Sequence, residues 1–93
     1  MSEEGREPNV IFVGKKPLMS YALAALLQFN AGNDSVTLKA RGRAISKAVD
    51  IAEVIKRRLF KDQADVKNIN IGTEILGEDM RNVSIIEIVM AKK

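Results

Sequence analysis

Lys39-Ala40-Arg41-Gly42-Arg43-Ala44-Ile45-Ser46-Lys47-Ala48 carries four cations and no anion, and it is where the chain changes period. Upstream, Val36, Leu38 and Ala40 alternate with Thr37, Lys39 and Arg41, the two-residue repeat of a half-buried strand. Downstream, Ile45, Ala48, Val49, Ala52, Ile55 and Leu59 recur at helical spacing. Gly42 therefore marks a strand-to-helix junction, where a residue without Cβ tolerates unusual dihedrals. No Ser, Thr, Asp or Asn stands just before the helix to cap it, so its first N–H groups are open to an outside anion. Arg41 and Arg43 add charge and forked donors on either side. An isolated Arg-x-Arg reads equally as a solvated basic turn, and only the rest of the chain decides between the two.

Moving upstream, Val10-Ile11-Phe12-Val13 is a short apolar run, as expected of a strand buried on both faces, and Gly14-Lys15-Lys16-Pro17 ends it. Pro17 opens a helix over residues 18–29, rich in strong helix formers. That helix has no charged residue, so the sheet, a second helix or a partner is expected to cover most of it. Asn30-Ala31-Gly32-Asn33-Asp34 supplies helix-stop and turn chemistry. Downstream, a second helix is expected over residues 43–60, with Lys47, Asp50, Glu53, Lys56 and Arg57 on its outer face and Glu53 and Arg57 as an i,i+4 pair. Residues 61–65 read as a linker. Residues 67–71 and 84–90 alternate as two strands of a hairpin, with Gly77-Glu78-Asp79-Met80-Arg81 at its tip. Six residues of overhang on each strand would carry the arm roughly 20 Å beyond the core at ~3.3 Å per residue; the alternative is an ordinary mobile loop. The element order is β-α-β-α-β-β. It predicts an α+β fold (an α/β two-layer sandwich), with neighbouring parallel pairs among the first three strands and an extended β3-β4 hairpin arm at about residues 72–84.

Composition bounds the chemistry. Ninety-three residues make a single domain, taken as residues 9–93 behind a polar, acidic and flexible arm at residues 1–8. There is no cysteine for disulfides or thiolate chemistry and no histidine, the commonest general base and metal ligand. No metal or cofactor is expected. No apolar run reaches membrane-spanning length, and the polar N-terminus does not read as a signal peptide. Gly14-Lys15-Lys16 lacks the second glycine and the Ser or Thr of a phosphate loop. The carboxylates Asp62, Asp65, Glu78 and Asp79 lie scattered in turns. No catalytic set emerges, and the chain is expected not to be an enzyme.

Binding remains. The net charge is only +3, but its distribution is uneven: over residues 8–49 the cations are Lys15, Lys16, Lys39, Arg41, Arg43 and Lys47, and Asp34 is the only anion. Lys15 and Lys16 end the first strand and Arg41 and Arg43 the second, so a parallel pairing places them side by side. A patch of one sign points to an anionic polymer. The few aromatic residues, with Phe12 and Phe29 in core-like positions, argue against base stacking and for backbone-directed, sequence-tolerant binding. Arg81 on the arm is placed to enter a minor groove, with Glu78 and Asp79 turned away.

Residues 39–50, with Gly14-Lys15-Lys16-Pro17 upstream and Ser84-Ile85-Ile86-Glu87-Ile88 near the end, resemble the Alba family of archaeal chromatin proteins, over about residues 9–93. The resemblance implies a fold like the C-terminal domain of translation initiation factor three and a homodimer with higher assembly on DNA. It implies an architectural protein that coats and compacts chromosomal double-stranded DNA without sequence preference and also binds RNA, in the cytoplasm and on the archaeal nucleoid. A primarily RNA-binding role is the alternative. Lys15 or Lys16 would contact nucleic acid and be acetylated, which brings in an acetyltransferase and a deacetylase. Arg41 and Arg43 would contact nucleic acid too, and the hairpin arms would follow the minor groove. In the family, a phenylalanine that helps dimers associate side by side stands where this chain has Leu59, so that contact is expected at Leu59 and Phe60 with altered geometry.

Overall fold

The computed structural model of the chain describes residues 9–61 and 63–93. The expected arm at residues 1–8 and the turn residue Asp62 lie outside the described residues. In chain order the elements are strand β1 (Val10–Phe12), helix α1 (Leu18–Asn30), strand β2 (Ser35–Arg41), helix α2 (Ala44–Val54), a π-helical turn (Ile55–Leu59), strand β3 (Ala64–Leu76) and strand β4 (Arg81–Lys92). They make the expected α+β arrangement, a four-stranded sheet and two helices in the order β-α-β-α-β-β.

The sheet order is β1-β2-β4-β3. β1 and β2 pair in parallel, as the crossover through α1 requires. β3 does not lie beside β2: β4 takes that place, antiparallel to both neighbours. The reason is on the strands. In the β2–β4 ladder Val36 stands opposite Met90, Leu38 opposite Ile88 and Ala40 opposite Ile86, and all six side chains are buried. β4 thus has the fuller apolar face and takes the inner position, leaving β3 at the edge.

The apolar rows of β1, β2 and β4 form one core with Tyr21, Ala22, Ala25 and Phe29 of α1, Ala48, Ile51 and Ala52 of α2, and Ile55 of the π-helical turn. Phe29 is 1% exposed, a burial that stabilises by roughly 1.5–3 kcal/mol. Lys39 and Glu87, opposite each other in the ladder, lie on the other face of the sheet and form an ion pair at 3.2 Å.

β1 corrects the expectation of a strand buried on both faces. Ile11 and Val13 are buried, but Phe12 points to the opposite face and is 39% exposed, with the Lys39 ammonium 5.7 Å from its ring centre. α1 is likewise covered on one side only: Met19, Leu23 and Leu27, one turn apart, are bare. Its end matches the turn chemistry of its sequence. Gly32 takes φ +104°, the N–H groups of Ala31, Gly32 and Asn33 return to carbonyls of the last turn, and the Asn33 amide donates to Gln28 Oε1 at 2.8 Å.

α2 ends six residues earlier than expected and widens into the π-helical turn, closed by Phe60 N–H donating to the Ile55 carbonyl at 2.8 Å. The turn sets Phe60 edge-to-face on Phe29, ring centres 4.9 Å apart. Glu53 and Arg57 make their expected pair at 2.6 Å. The supposed linker at residues 61–65 is shorter, because β3 already starts at Ala64.

β3 carries a bulge at Lys67, between Val66 (opposite Met90) and Asn68 (opposite Val89). The extra residue shifts the phase of the strand, so Ile69 and Ile71 join Val66 on the helix side. Past the last β2 pair, Arg41 with Ile85, the β3–β4 ribbon continues for four more pairs, Thr73 with Ser84 to Leu76 with Arg81, about 14 Å at ~3.4 Å per residue. The turn over residues 77–80 uses positive φ at Gly77 and at Met80. The overhang is shorter than the six residues expected because β2 accompanies the ribbon as far as Ile85.

Candidate nucleic-acid interface

The end of the β1–β2 pair organises the basic residues. Val13 N–H donates to the Lys39 carbonyl at 2.8 Å, the last link between the two strands. Beyond it the chain leaves the sheet on one side as Gly14, Lys15 and Lys16, and on the other, after Arg41 ends β2, as Gly42 and Arg43. Lys15 and Lys16 are exposed. Their loop is held from two directions. The Tyr21 hydroxyl accepts the N–H groups of Gly14 at 2.9 Å and Lys16 at 3.0 Å. The Lys47 ammonium, from the first turn of α2, donates to the Gly14 carbonyl at 2.7 Å and the Lys16 carbonyl at 2.9 Å. The first helix of one βα unit and the second helix of the next thus grip the same three-residue loop.

Gly42 joins β2 to α2 at the expected junction with φ +56°, in the left-handed region that a residue without Cβ tolerates. Its N–H donates to the Ser84 carbonyl at 2.8 Å, which ties the turn to β4. Arg43 opens α2 in the right-handed region, and no side chain caps that end, so the expected uncapped start is present. Arg43 is exposed and sits one turn before Lys47.

Two expected site residues are placed differently. Lys47 is half-buried and turned back to the loop rather than out to solvent, its ammonium 5.9 Å from the Tyr21 ring centre. Arg41 separates from Arg43: its strand position puts it on the helix-free face, where Nη1 lies 3.5 Å from Glu74 Oε1 of β3. That oxygen is buried without a hydrogen-bond partner among the described residues, so the contact is an ion pair without hydrogen-bond geometry. A cavity of about 190 Å³ lined by Phe12, Lys39, Arg41, Glu74, Ile85 and Glu87 opens on this face. Its two cations each face a carboxylate, so the cavity is nearly charge-balanced. No local signal marks Glu74, which reaches Arg41 only through the β3–β4–β2 ladder.

At the hairpin tip the Arg81 side chain is well exposed, but Asp79 is not turned away from it: Arg81 Nε lies 3.4 Å from Asp79 Oδ2. An exposed pair of this kind is worth little and opens readily for a stronger anion. Leu59 and Phe60 are half-buried and packed against the core at the opposite end of α2 from Arg43. No group of three or more metal-ligating side chains occurs among the described residues. No helix there is long and apolar enough to cross a membrane.

A family model named Alba matches residues 9–73, the whole span from β1 into the outer part of β3. The chain belongs to the Alba family. It is 54% identical over 87 residues to DNA/RNA-binding protein Alba 1 of Archaeoglobus fulgidus, covering 91% of this chain and 97% of that protein. It is 53% identical over 89 residues to DNA/RNA-binding protein Alba of Methanocella arvoryzae, covering 92% of each. Among solved structures, Alba from Thermoplasma volcanium superposes with a TM-score of 0.83 at 48% identity, over 90% of this chain and all of that one. ALBA1 from Trypanosoma brucei superposes with a TM-score of 0.79 at 28% identity, over 94% of this chain and 71% of that one. The Alba family is one of nucleic-acid-binding architectural proteins and not of enzymes.

Proposed function

We propose that this Alba-family chain is an architectural protein that binds double-stranded DNA without sequence preference, coats and compacts chromosomal DNA, and also binds RNA. The observation that carries this reading is the anchored Lys15–Lys16 loop beside the start of α2, where cations from two separate stretches meet at one exposed edge. Lys15, Lys16 and Arg43 grip phosphates there. Arg41 joins them when a phosphate replaces Glu74, and Arg81 at the tip of the 72–84 arm follows the minor groove. The names of the relatives from Archaeoglobus fulgidus and Methanocella arvoryzae, DNA/RNA-binding protein Alba, support both polymers as ligands.

The working unit in this reading is a homodimer of chains that each act as one domain over residues 9–93. Ile69 and Ile71 of β3 face the helix side yet are exposed, and Ile71 lines an open groove with the half-buried Ile45 of α2. A two-fold partner covers such a surface and sets two basic edges on one assembly. Leu59 and Phe60 keep outer surface for contact between dimers. The exposed Lys15 and Lys16 are open to acetylation, which removes a charge and weakens binding reversibly.

The test is a titration of duplex DNA by fluorescence anisotropy across salt concentrations. With roughly six to ten phosphates neutralised per dimer, the log–log slope is expected at about −5 to −9, alike for unrelated sequences. Arg43→Ala is expected to lower the slope by about one per site lost. A slope near −1, or strong preference for one sequence, contradicts the reading. DNA or RNA co-purifying with the untagged protein from its native cell decides which polymer dominates.

A further inference from the structure

The Lys15–Lys16 loop is short, basic and exposed, and left to itself such a segment would be mobile. Each of its polar backbone groups with a described partner is taken up by one of two side chains. Tyr21 accepts from the N–H groups of Gly14 and Lys16, and Lys47 donates to the carbonyls of the same two residues. Lys15, between them, is left projecting. Gly14 has the shape this requires: a Cβ on it would stand 3.4 Å from the Tyr21 hydroxyl, at the near limit of ordinary contact. The lock is also self-supporting, since the Lys47 ammonium lies against the Tyr21 ring.

An ammonium has three donors, and two of those on Lys47 are spent on backbone carbonyls. A phosphate drawing this cation away would release the loop that carries the two exposed lysines. We propose that Tyr21 and Lys47 are positioning residues: they pre-shape the Lys15–Lys16 loop for phosphate, and Lys47 acts through the loop and not as a phosphate contact. This rests on the reading of the loop as part of the nucleic-acid interface. The physical gain is preorganisation, because a loop ordered in the free protein does not have to be ordered during binding.

Tyr21→Phe is the clean probe, since it removes the acceptor of two loop N–H groups while keeping the ring and every charge. Binding to one duplex is measured across salt for the parent, Tyr21→Phe, Lys15→Ala/Lys16→Ala and the triple variant, with amide hydrogen exchange followed in the free proteins. Tyr21→Phe is expected to weaken binding about fivefold, the order of magnitude for ordering a short loop on binding, with the salt slope unchanged. Gly14 and Lys16 amides are expected to exchange faster while those of the α1 interior do not change. In the background without the loop lysines, Tyr21→Phe is expected to have no further effect on affinity.

Lys47→Met is the companion variant. It is expected to weaken the parent and to leave the loop-lysine variant within about twofold, with no loss of one unit of salt slope in that background. Parent-like affinity of Tyr21→Phe overturns the positioning role, as does an equal loss in both backgrounds, which would make the hydroxyl itself a nucleic-acid contact. A full unit of slope lost by Lys47→Met in both backgrounds overturns the assignment of Lys47. If instead Lys15→Ala/Lys16→Ala binds like the parent, the interface reading itself fails, and the proposal with it.

Discussion

At the scale of single residues, the basic block does not act as one unit. Lys39 and Arg41 are two residues apart on β2, and each faces a carboxylate, Glu87 at 3.2 Å and Glu74 at 3.5 Å. In the proposed interface, phosphate has to compete with Glu74 for Arg41. Glu74→Gln removes that competitor, and because an exposed pair is worth about 0–1 kcal/mol, duplex affinity is expected to rise about two- to threefold. Unchanged or weaker affinity would show that Arg41 takes no part. Asp65 presents a different case. The N–H of Val66 at 2.7 Å, and after it the Lys56 ammonium, hold its carboxyl below the ordinary 3.8. A group whose folded value is lowered stabilises the fold above its unfolded value and loses that contribution as pH falls through the folded one. Melting temperature followed downward from pH 5 is therefore expected to fall less steeply for Asp65→Asn than for the parent, although Asp65→Asn starts lower. Parallel curves would mean the pair contributes nothing.

At the scale of elements, the β3–β4 ribbon is the part whose freedom matters. Its last four pairs have no third strand beside them, and residues 77–80 turn through two positive-φ positions. A narrow minor groove concentrates negative potential, and Arg81 can exchange the weak Asp79 contact for it. Arg81→Ala is expected to weaken binding about two- to fivefold on A·T-rich duplex and less on a G·C-rich duplex of equal length. Equal losses on both, or none, would mean the tip does not read groove width. The bulge at Lys67 belongs to the same element: without it, Ile69 and Ile71 would turn to the opposite face.

At the scale of the molecule, one core joins both helices to a single face of the sheet, and several apolar surfaces of the described residues remain outside it. One is the Met19, Leu23 and Leu27 stripe of α1; another is formed by Ile69 and Ile71 on β3, with Ile45 of α2 beside Ile71. Ile71 is 81% exposed on the helix side of an edge strand, a position a monomer gives no reason to keep apolar. Sedimentation of the parent is expected to give twice the 10.3 kDa chain mass at micromolar concentration. Ile71→Lys is expected to give the single-chain mass with little change in helix content, because the side chain touches little of its own chain. It is also expected to shrink the salt slope on duplex DNA toward half. A parent monomer, or a dimer that tolerates Ile71→Lys, would send the interface elsewhere.

Local chemistry made much of this legible in advance. The period change at Gly42, the helix stop at Gly32 and the alternation of β2 and β4 are set by dihedral preference and by which side of a strand or helix is apolar, and such signals are complete within a few residues. They fixed the element order and the parallel β1–β2 pair, and with that pair the meeting of the 14–16 loop with the start of α2. What stayed hidden depends on residues far apart in the chain. β4 displaced β3 from the centre because Ile86, Ile88 and Met90 match Ala40, Leu38 and Val36 across the ladder. Phe12 came out exposed because both helices lie on one side, which a four-residue apolar run cannot reveal. Lys47 is 33 residues from the Gly14 carbonyl it binds, Arg41 meets Glu74 across two ladders, and Phe60 finds Phe29 only through a π-helical turn. Sequence determined which residues carry charge and where the backbone turns; the tertiary structure decided which of those charges are spent on the protein and which remain for a partner, because hydrogen bonds and ion pairs are settled by distance in space.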